Sequence, residues 1–291
     1  MDPQEAVRIV QEMFPFEGYI EPEWQVYMDV VPAVRSVLLP GARILDFGSG
    51  PCDKAAVLQL LGFECHAVDD LRDAWHLIDG NRDRILDFAH SLAVEFHVAD
   101  ERPLPFAAES FDLLMMLSVL EHLHDSPRRL VNELLALVKP RGYLLATVPN
   151  AVNLRKRLDV LRGRSNFPPF HTYYWCPGPW RGHVREYTKA DVVRLYGYLD
   201  LQVIWLRGCH HNLAKLPPAA RRIYVTLSSA FPAWRDTWML LARKREGWKP
   251  KEPPTEPGLI ACWTPRQSED RAEQLRPVPG RSKKPGGCSN A

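Results

Sequence analysis

The sequence predicts an α/β fold: a doubly wound, mostly parallel sheet with helices on both faces. Three observations carry that expectation. Short apolar runs at 43–47, 64–68, 94–98, 111–117 and 143–148 alternate with stretches of helical spacing. Several of these runs are near-continuous in Ile, Leu, Val and Met, as strands buried on both faces require. The first run ends in an acid and two glycines one residue apart, Asp46-Phe47-Gly48-Ser49-Gly50, and a helical pattern starts at Asp53. That is a strand, a tight turn and a helix N-terminus, where the backbone can approach a ligand closely.

Residues 1–40 read as a helical lead-in interrupted by Pro15, Pro22 and Pro32. Its aromatics, Phe14, Phe16, Tyr19, Trp24 and Tyr27, suit packing on the next domain and suit a lid over a ligand. The main domain is expected over 41–246. After strand 43–47 come a helix at 53–61 and a strand at 64–68 closing on Asp69-Asp70. A partly helical stretch at 71–93 leads to strand 94–98, followed by Asp100. Strand 111–117 ends at Ser118. Helix 127–138 carries Leu130, Leu134, Leu137 and Val138 on one face. Lys139-Pro140-Arg141-Gly142 reads as a turn before strand 143–148.

An insertion at 151–187 breaks the pattern. It opens with a basic helical segment containing Arg155, Lys156, Arg157, Arg162 and Arg164. A loop dense in Pro and aromatics, 167–180, follows; loops of that length are usually functional or mobile. Helix 188–198 has Thr188 at its N-cap and Asp191 at N3. Strand 201–206, a second insertion at 209–233 with an apolar helix at 219–230, and strand 237–242 complete the domain. From 247 to 291 the chain is rich in Pro, Lys, Arg, Glu and Gly without a period, so a disordered tail is expected.

Composition narrows the function classes. A chain of 291 residues with 46% hydrophobic and 25% charged residues is globular, with one large domain or two small ones. A net charge of +2 gives no reason to invoke nucleic acid. Six cysteines without a CxxC pair argue against a zinc site and against a disulfide scaffold. Residues 1–10 lack the apolar core of a secretion signal, and no run reaches the ~18–20 apolar residues that span a bilayer. A reducing, cytoplasmic setting is the expectation.

In open α/β sheets ligands sit beyond the carboxyl ends of the strands. Those ends carry Asp46, Asp69/Asp70, Asp100 and Ser118. An acid after the second strand suits the two ribose hydroxyls, and one after the third suits an adenine amine. A pyrophosphate is disfavoured, because Asp46 faces it and Asp53 stands where a dinucleotide site has its third glycine. S-adenosyl-L-methionine has adenine and ribose, no phosphate, and a cationic amino-acid end that an acid welcomes.

The run Ile44-Leu45-Asp46-Phe47-Gly48-Ser49-Gly50 resembles motif I of the class I S-adenosylmethionine-dependent methyltransferases. Ala67-Val68-Asp69, Ala99-Asp100, Ser110-Phe111-Asp112-Leu113-Leu114 and Ser118-Val119-Leu120-Glu121-His122-Leu123 resemble their later motifs. His183-Val184-Arg185-Glu186-Tyr187-Thr188 is similar to the helix start in the subgroup that includes ubiquinone-pathway O-methyltransferases. The resemblance implies a Rossmann-like, mostly parallel seven-stranded sheet with an antiparallel final strand. It implies cofactor contacts at Asp46, Gly48, Ser49, Gly50, Asp69, Asp100, Leu117 and Ser118. Asp69 would hold the ribose, with Asp70 the rival; Asp100 would sit at the adenine edge. Leu117 and Ser118 would approach the methionine end.

Transfer to an oxygen needs the acceptor proton removed. His183 and His122 are the candidate bases, with His124 and His171 behind them; no metal is expected, because His122 and His124 do not share a helix face. The expected acceptor is a small-molecule or glycan hydroxyl; a quinone or lipid phenol is the alternative, and a non-catalytic cofactor-binding scaffold the reading from another class. No Asn/Asp-Pro-Pro-Tyr motif follows the fourth strand, so nucleic-acid methylation is disfavoured. The apolar helix at 219–230 suits packing on the sheet and suits peripheral membrane contact.

Overall fold

The computed structural model describes residues 1–99 and 104–251. Asp100 and the expected tail from 252 to 291 lie outside the described residues. Strands β1 (Arg43–Phe47), β2 (Glu64–Asp69), β3 (Glu95–Val98), β4 (Phe111–Leu117), β5 (Val138–Pro149), β6 (Leu201–Cys209) and β7 (Thr237–Lys244) form one seven-stranded sheet. Its order is β3-β2-β1-β4-β5-β7-β6. The first five strands pair in parallel, and β7 runs antiparallel between β5 and β6. The order reverses between β1 and β4, so a crevice opens beyond Phe47 and Leu117.

Alternation along each strand divides the core. Ile44, Cys65, Leu113, Met115 and Leu145 join one buried cluster. Helices α1 (Pro3–Met13), α2 (Trp24–Arg35), α3 (Asp53–Leu60) and α4 (Asn81–Ser91) cover it. Leu45, Val68, Leu114, Met116 and Leu144 join the other, under α5 (Pro127–Leu137) and α8 (Lys189–Tyr198). Asp2 caps α1 through Gln4 and Glu5 amides, and Thr188 with Asp191 forms the expected capping box of α8.

Four local expectations are corrected. Residues 139–142 do not form a free turn; they lie within β5 as an irregularity, with Phe111 opposite Val138 and Leu113 opposite Tyr143. Arg141 absorbs the extra length with a positive φ of 64°. Pro32 does not interrupt the lead-in, because it lies inside α2 and Ser36 N–H still bonds to its carbonyl. The loop at 167–180 contains a short helix, α7 (Phe170–Tyr174). Trp248 is anchored rather than trailing: its indole N–H donates to the Leu199 carbonyl at 2.7 Å. Helices α6 (Leu154–Leu161) and α9 (Pro218–Ala230) occupy the two insertions.

Candidate active site

The β1 turn forms the floor. Gly48 and Gly50 adopt positive φ of 71° and 54°, and the Gly48 and Ser49 amides donate to the Val68 carbonyl of β2 at 2.8 and 3.2 Å. A Cβ on Gly48 would stand 2.5 Å from Val119 Cγ2, so this glycine lets the β1 and β4 ends meet. A Cβ on Gly50 would meet nothing within 4 Å, because that residue faces open space. Asp69 braces the turn: its carboxylate accepts from Gly50 N–H and Leu71 N–H, both at 2.8 Å. Burial nevertheless raises the Asp69 carboxyl above its ordinary range.

Two cavities share this floor. The larger, of about 480 Å³, runs past Asp69, Asp70, Trp75, His76, His122 and Arg181. The smaller, of about 300 Å³, is bordered by Asp46, Lys54, Glu121, Thr147, His183 and His211. Tyr19, Gly48, Gly50, Pro51 and Ser118 border both. Ser118 holds a strained positive φ of 58°, secured by its N–H bond to Thr147 Oγ1 at 3.0 Å. Leu117 lines the smaller cavity beside it.

Two buried acids, Asp46 and Glu121, border the smaller cavity. Burial, with Asp53 and Asp69 nearby, pushes the Asp46 carboxyl up to about 7. Glu121 is fully buried, neither of its carboxylate oxygens has a hydrogen-bond partner, and burial pushes it up to about 8. Under the floor, Lys54 pairs with Asp53 at 2.9 Å and with Glu23 at 3.5 Å. Burial pulls the ammonium down, but Asp53, with Tyr19 and Glu23 behind it, outweighs this and raises it. Tyr27 donates to Asp53, which fastens the lead-in to α3. Tyr19 spreads over Lys54 at 5.8 Å, so the lead-in both packs on the domain and walls the site.

The insertion supplies a strap across the larger cavity. Arg181 reaches Asp70 with Nη1 and Nη2 at 3.1 and 2.8 Å, and Asp73 with Nε at 2.5 Å. On the opposite rim, His122 Nδ1 lies 2.7 Å from the Arg181 carbonyl, and His124 Nε2 2.7 Å from that of Trp180. Both imidazoles donate there, since a carbonyl only accepts. Asp70 is thereby committed to Arg181, whereas Asp69 is committed to the turn. His183 Nδ1 sits 2.9 Å from Glu186 Oε1, and Glu186 also pairs with Lys156 of α6. The His122 and His183 rings meet edge-to-face with centroids 5.0 Å apart. Donor atoms of Glu121, His122 and His183 lie within 4.8 Å of one another, a carboxylate-imidazole set that can trade protons or hold a divalent cation. His171, on α7, is not among the residues bordering either cavity.

Sequence reasoning missed Glu121, Lys54, His76 and Arg181. Their roles come from contacts across more than a hundred residues or from burial, which local spacing does not encode. His76 is buried beside Asp69 with both ring nitrogens unpartnered, so the larger cavity has room for a polar ligand there. Orphaned polar groups in both cavities, acids at the strand ends and an open face at Gly50 fit S-adenosylmethionine.

Residues 19–204 match a family model described as a methyltransferase domain. A ubiquinone biosynthesis O-methyltransferase of Xanthomonas campestris is 31% identical over 128 residues, 43% of this chain and 49% of that protein. The chain therefore spans about half the length of the curated relatives it matches. A Haloferax volcanii methyltransferase in complex with the Trm112 methyltransferase activator superposes with TM-score 0.52 at 15% identity, covering 84% of this chain and 97% of that one. A SAM-dependent methyltransferase of Methanosarcina mazei reaches TM-score 0.49 at 17% identity, with 74% and 98% covered.

Proposed function

This chain belongs to the methyltransferase-domain family, and from that premise we propose that it is an S-adenosylmethionine-dependent methyltransferase acting on a hydroxyl oxygen. S-adenosylmethionine supplies an electrophilic methyl group on a sulfonium. Asp69 and His76 would hold its nucleoside in the larger cavity, and Asp46 would face its amino-acid end. Both oxygens of each acid already accept hydrogen bonds, Asp69 from the Gly50 and Leu71 amides and Asp70 from Arg181; we assign the ribose to Asp69 because the unpartnered His76 lies beside it, and Asp70 to the strap.

The observation that carries the oxygen reading is His183 on the wall of the smaller cavity, held from behind by Glu186. Glu186 accepts from Nδ1–H and so orients the His183 ring at the cavity wall, the placement on which we assign it the base's role. Lys156 of α6 pairs with Glu186 and so helps fix the carboxylate behind the imidazole, although burial and Arg155 push the Lys156 ammonium down to about 8. His122 has the same tautomer, set by the Arg181 carbonyl, and is the second base. Glu121 keeps its proton at neutral pH and can donate to an acceptor oxygen. Exclusion of water once cofactor and acceptor fill the cavity would favour loss of the sulfonium charge as the methyl moves.

The acceptor class follows from what surrounds the smaller cavity. A small-molecule or glycan hydroxyl is the first reading. A lipid phenol is the second, favoured by the face of the insertion: Leu161, Phe167, Phe170 and Trp175 are 75–83% exposed beside Arg162 and Arg164. No described helix is long and apolar enough to cross a membrane, so such a surface would lie on a bilayer. A screen with methyl-labelled cofactor against sugars, quinols and lipid-linked glycans tests both. Label appearing as a methyl ether supports the proposal; label on nitrogen or carbon overturns it.

A further inference from the structure

A second cluster lies on the same sheet but away from the two cavities. Glu95 and His97 are two residues apart on β3, so their side chains share a face. His66 is the register partner of Glu95 on β2 and points to that same face. One Glu95 carboxylate oxygen lies 3.0 Å from His66 Nδ1 and the other 3.3 Å from His97 Nε2, yet neither contact has hydrogen-bond geometry. The donor atoms of all three residues fall within 4.8 Å of one another. Two ligands each ~2.05 Å from a tetrahedral metal are about 3.3 Å apart. The His66 side chain is only 3% exposed, so an unpartnered ring nitrogen there is costly unless something binds it.

The other nitrogen of His66 is already arranged. Nε2 lies 3.1 Å from Glu64 Oε1 and 3.0 Å from Arg43 Nη2, and Arg43 is paired with Glu64 at 2.7 Å. Arg43 donates toward Nε2 and Glu64 accepts from it, so the ring can hold either tautomer; an ion on Nδ1 would select the one with Nε2–H donating to Glu64, a carboxylate–histidine–metal relay. Phe106 and Phe111 close the inner side edge-on to His66 at 5.6 and 5.1 Å. The exposed Glu95 leaves the outer side open for a water ligand.

We infer that His66 Nδ1, Glu95 and His97 Nε2 form a binding site for a divalent transition ion, zinc-like in preference, that staples β3 to β2. Two imidazoles and one carboxylate select such ions over calcium or magnesium. The staple falls where the sheet is weakest, since β3 is a four-residue edge strand with no fully buried residue. The site is independent of methyl transfer.

The test is titration of metal-stripped protein with Co²⁺, followed by its visible absorption, and with Zn²⁺, followed by Tm. One tight equivalent should disappear in Glu95→Gln and in His97→Ala, two partly exposed positions where substitution spares the core. It should persist in His183→Ala and His211→Ala, which disable the other two clusters with metal-binding composition among the described residues. Zn²⁺ at a hundredfold excess over Kd should raise Tm by about 5 °C in the wild type and not in Glu95→Gln. No binding, or a stoichiometry unchanged by both β3 substitutions, overturns the inference.

Discussion

The floor and the strap of the site are built in opposite ways. The floor, at the β1 turn, is buried backbone: Gly48 packs on Val119, Asp69 braces Gly50, and Lys54, Asp53 and Tyr27 lock the lead-in underneath. The strap, at 179–183, is held mainly by exposed side chains: Arg181 on Asp70 and Asp73, His122 and His124 on carbonyls. A floor made of core packing fixes one ligand in one pose. A strap made of surface ion pairs can open, admit a second molecule and be re-cut for a different acceptor.

Matched glycine substitutions test the contrast most severely. Gly48→Ala meets Val119 at 2.5 Å and has a φ of 71°, so unfolding should show a loss of about 3 kcal/mol or more. Gly163→Ala in the insertion has the same φ of 71° but nothing within 4 Å, and should cost only about 1 kcal/mol. Equal costs would break the distinction.

Ligand affinity should divide the same way. Calorimetry with S-adenosylhomocysteine should find Asp69→Ala weaker by about a hundredfold, the scale of a charge-assisted hydrogen bond. Arg181→Ala should change affinity by only about three- to tenfold, with an effect that fades in salt, because its ion pairs are exposed. An Asp69 variant that binds normally would return the ribose to Asp70.

Smaller effects follow from the buried acids. Asp46, pushed up to about 7, is half protonated near neutrality, so affinity for the cationic cofactor should fall below that pH and plateau above it. Glu121 loses its proton near 4.5 when unfolded but at about 8 when folded. Between those values only the folded chain keeps the proton, so this residue's contribution to stability declines as pH rises. Glu121→Gln should therefore raise Tm at pH 9 and leave it nearly unchanged at pH 4. Least of all should Phe170→Ser with Trp175→Ser affect turnover of a soluble acceptor; it should instead reduce sedimentation with anionic vesicles.

The floor was legible in the sequence and the strap was not. Asp46, Gly48, Gly50 and Asp69 announce themselves because a strand, a turn and a helix start are local events with local residue requirements. Thr188 and Asp191 are legible for the same reason. The strap depends on Arg181 meeting Asp70, 111 residues earlier, and no period predicts such a pairing. Residues 139–142 misled because Pro and Gly beside a basic pair imitate a turn, while Val138 and Tyr143 on either side both pair with β4 and make the segment an irregularity within one strand. Glu121 was hidden because its importance lies in burial without a partner, a property of the packed chain alone.

The central claim is that His183 takes the acceptor proton in a cavity whose floor holds the cofactor. Parallel measurement of turnover and S-adenosylhomocysteine affinity in wild type and His183→Ala tests it most directly. The account predicts a fall in kcat of about 10²–10⁴, the usual worth of a general base, with Kd unchanged. Unchanged kcat, or a loss of Kd that accounts for the whole effect, would contradict it.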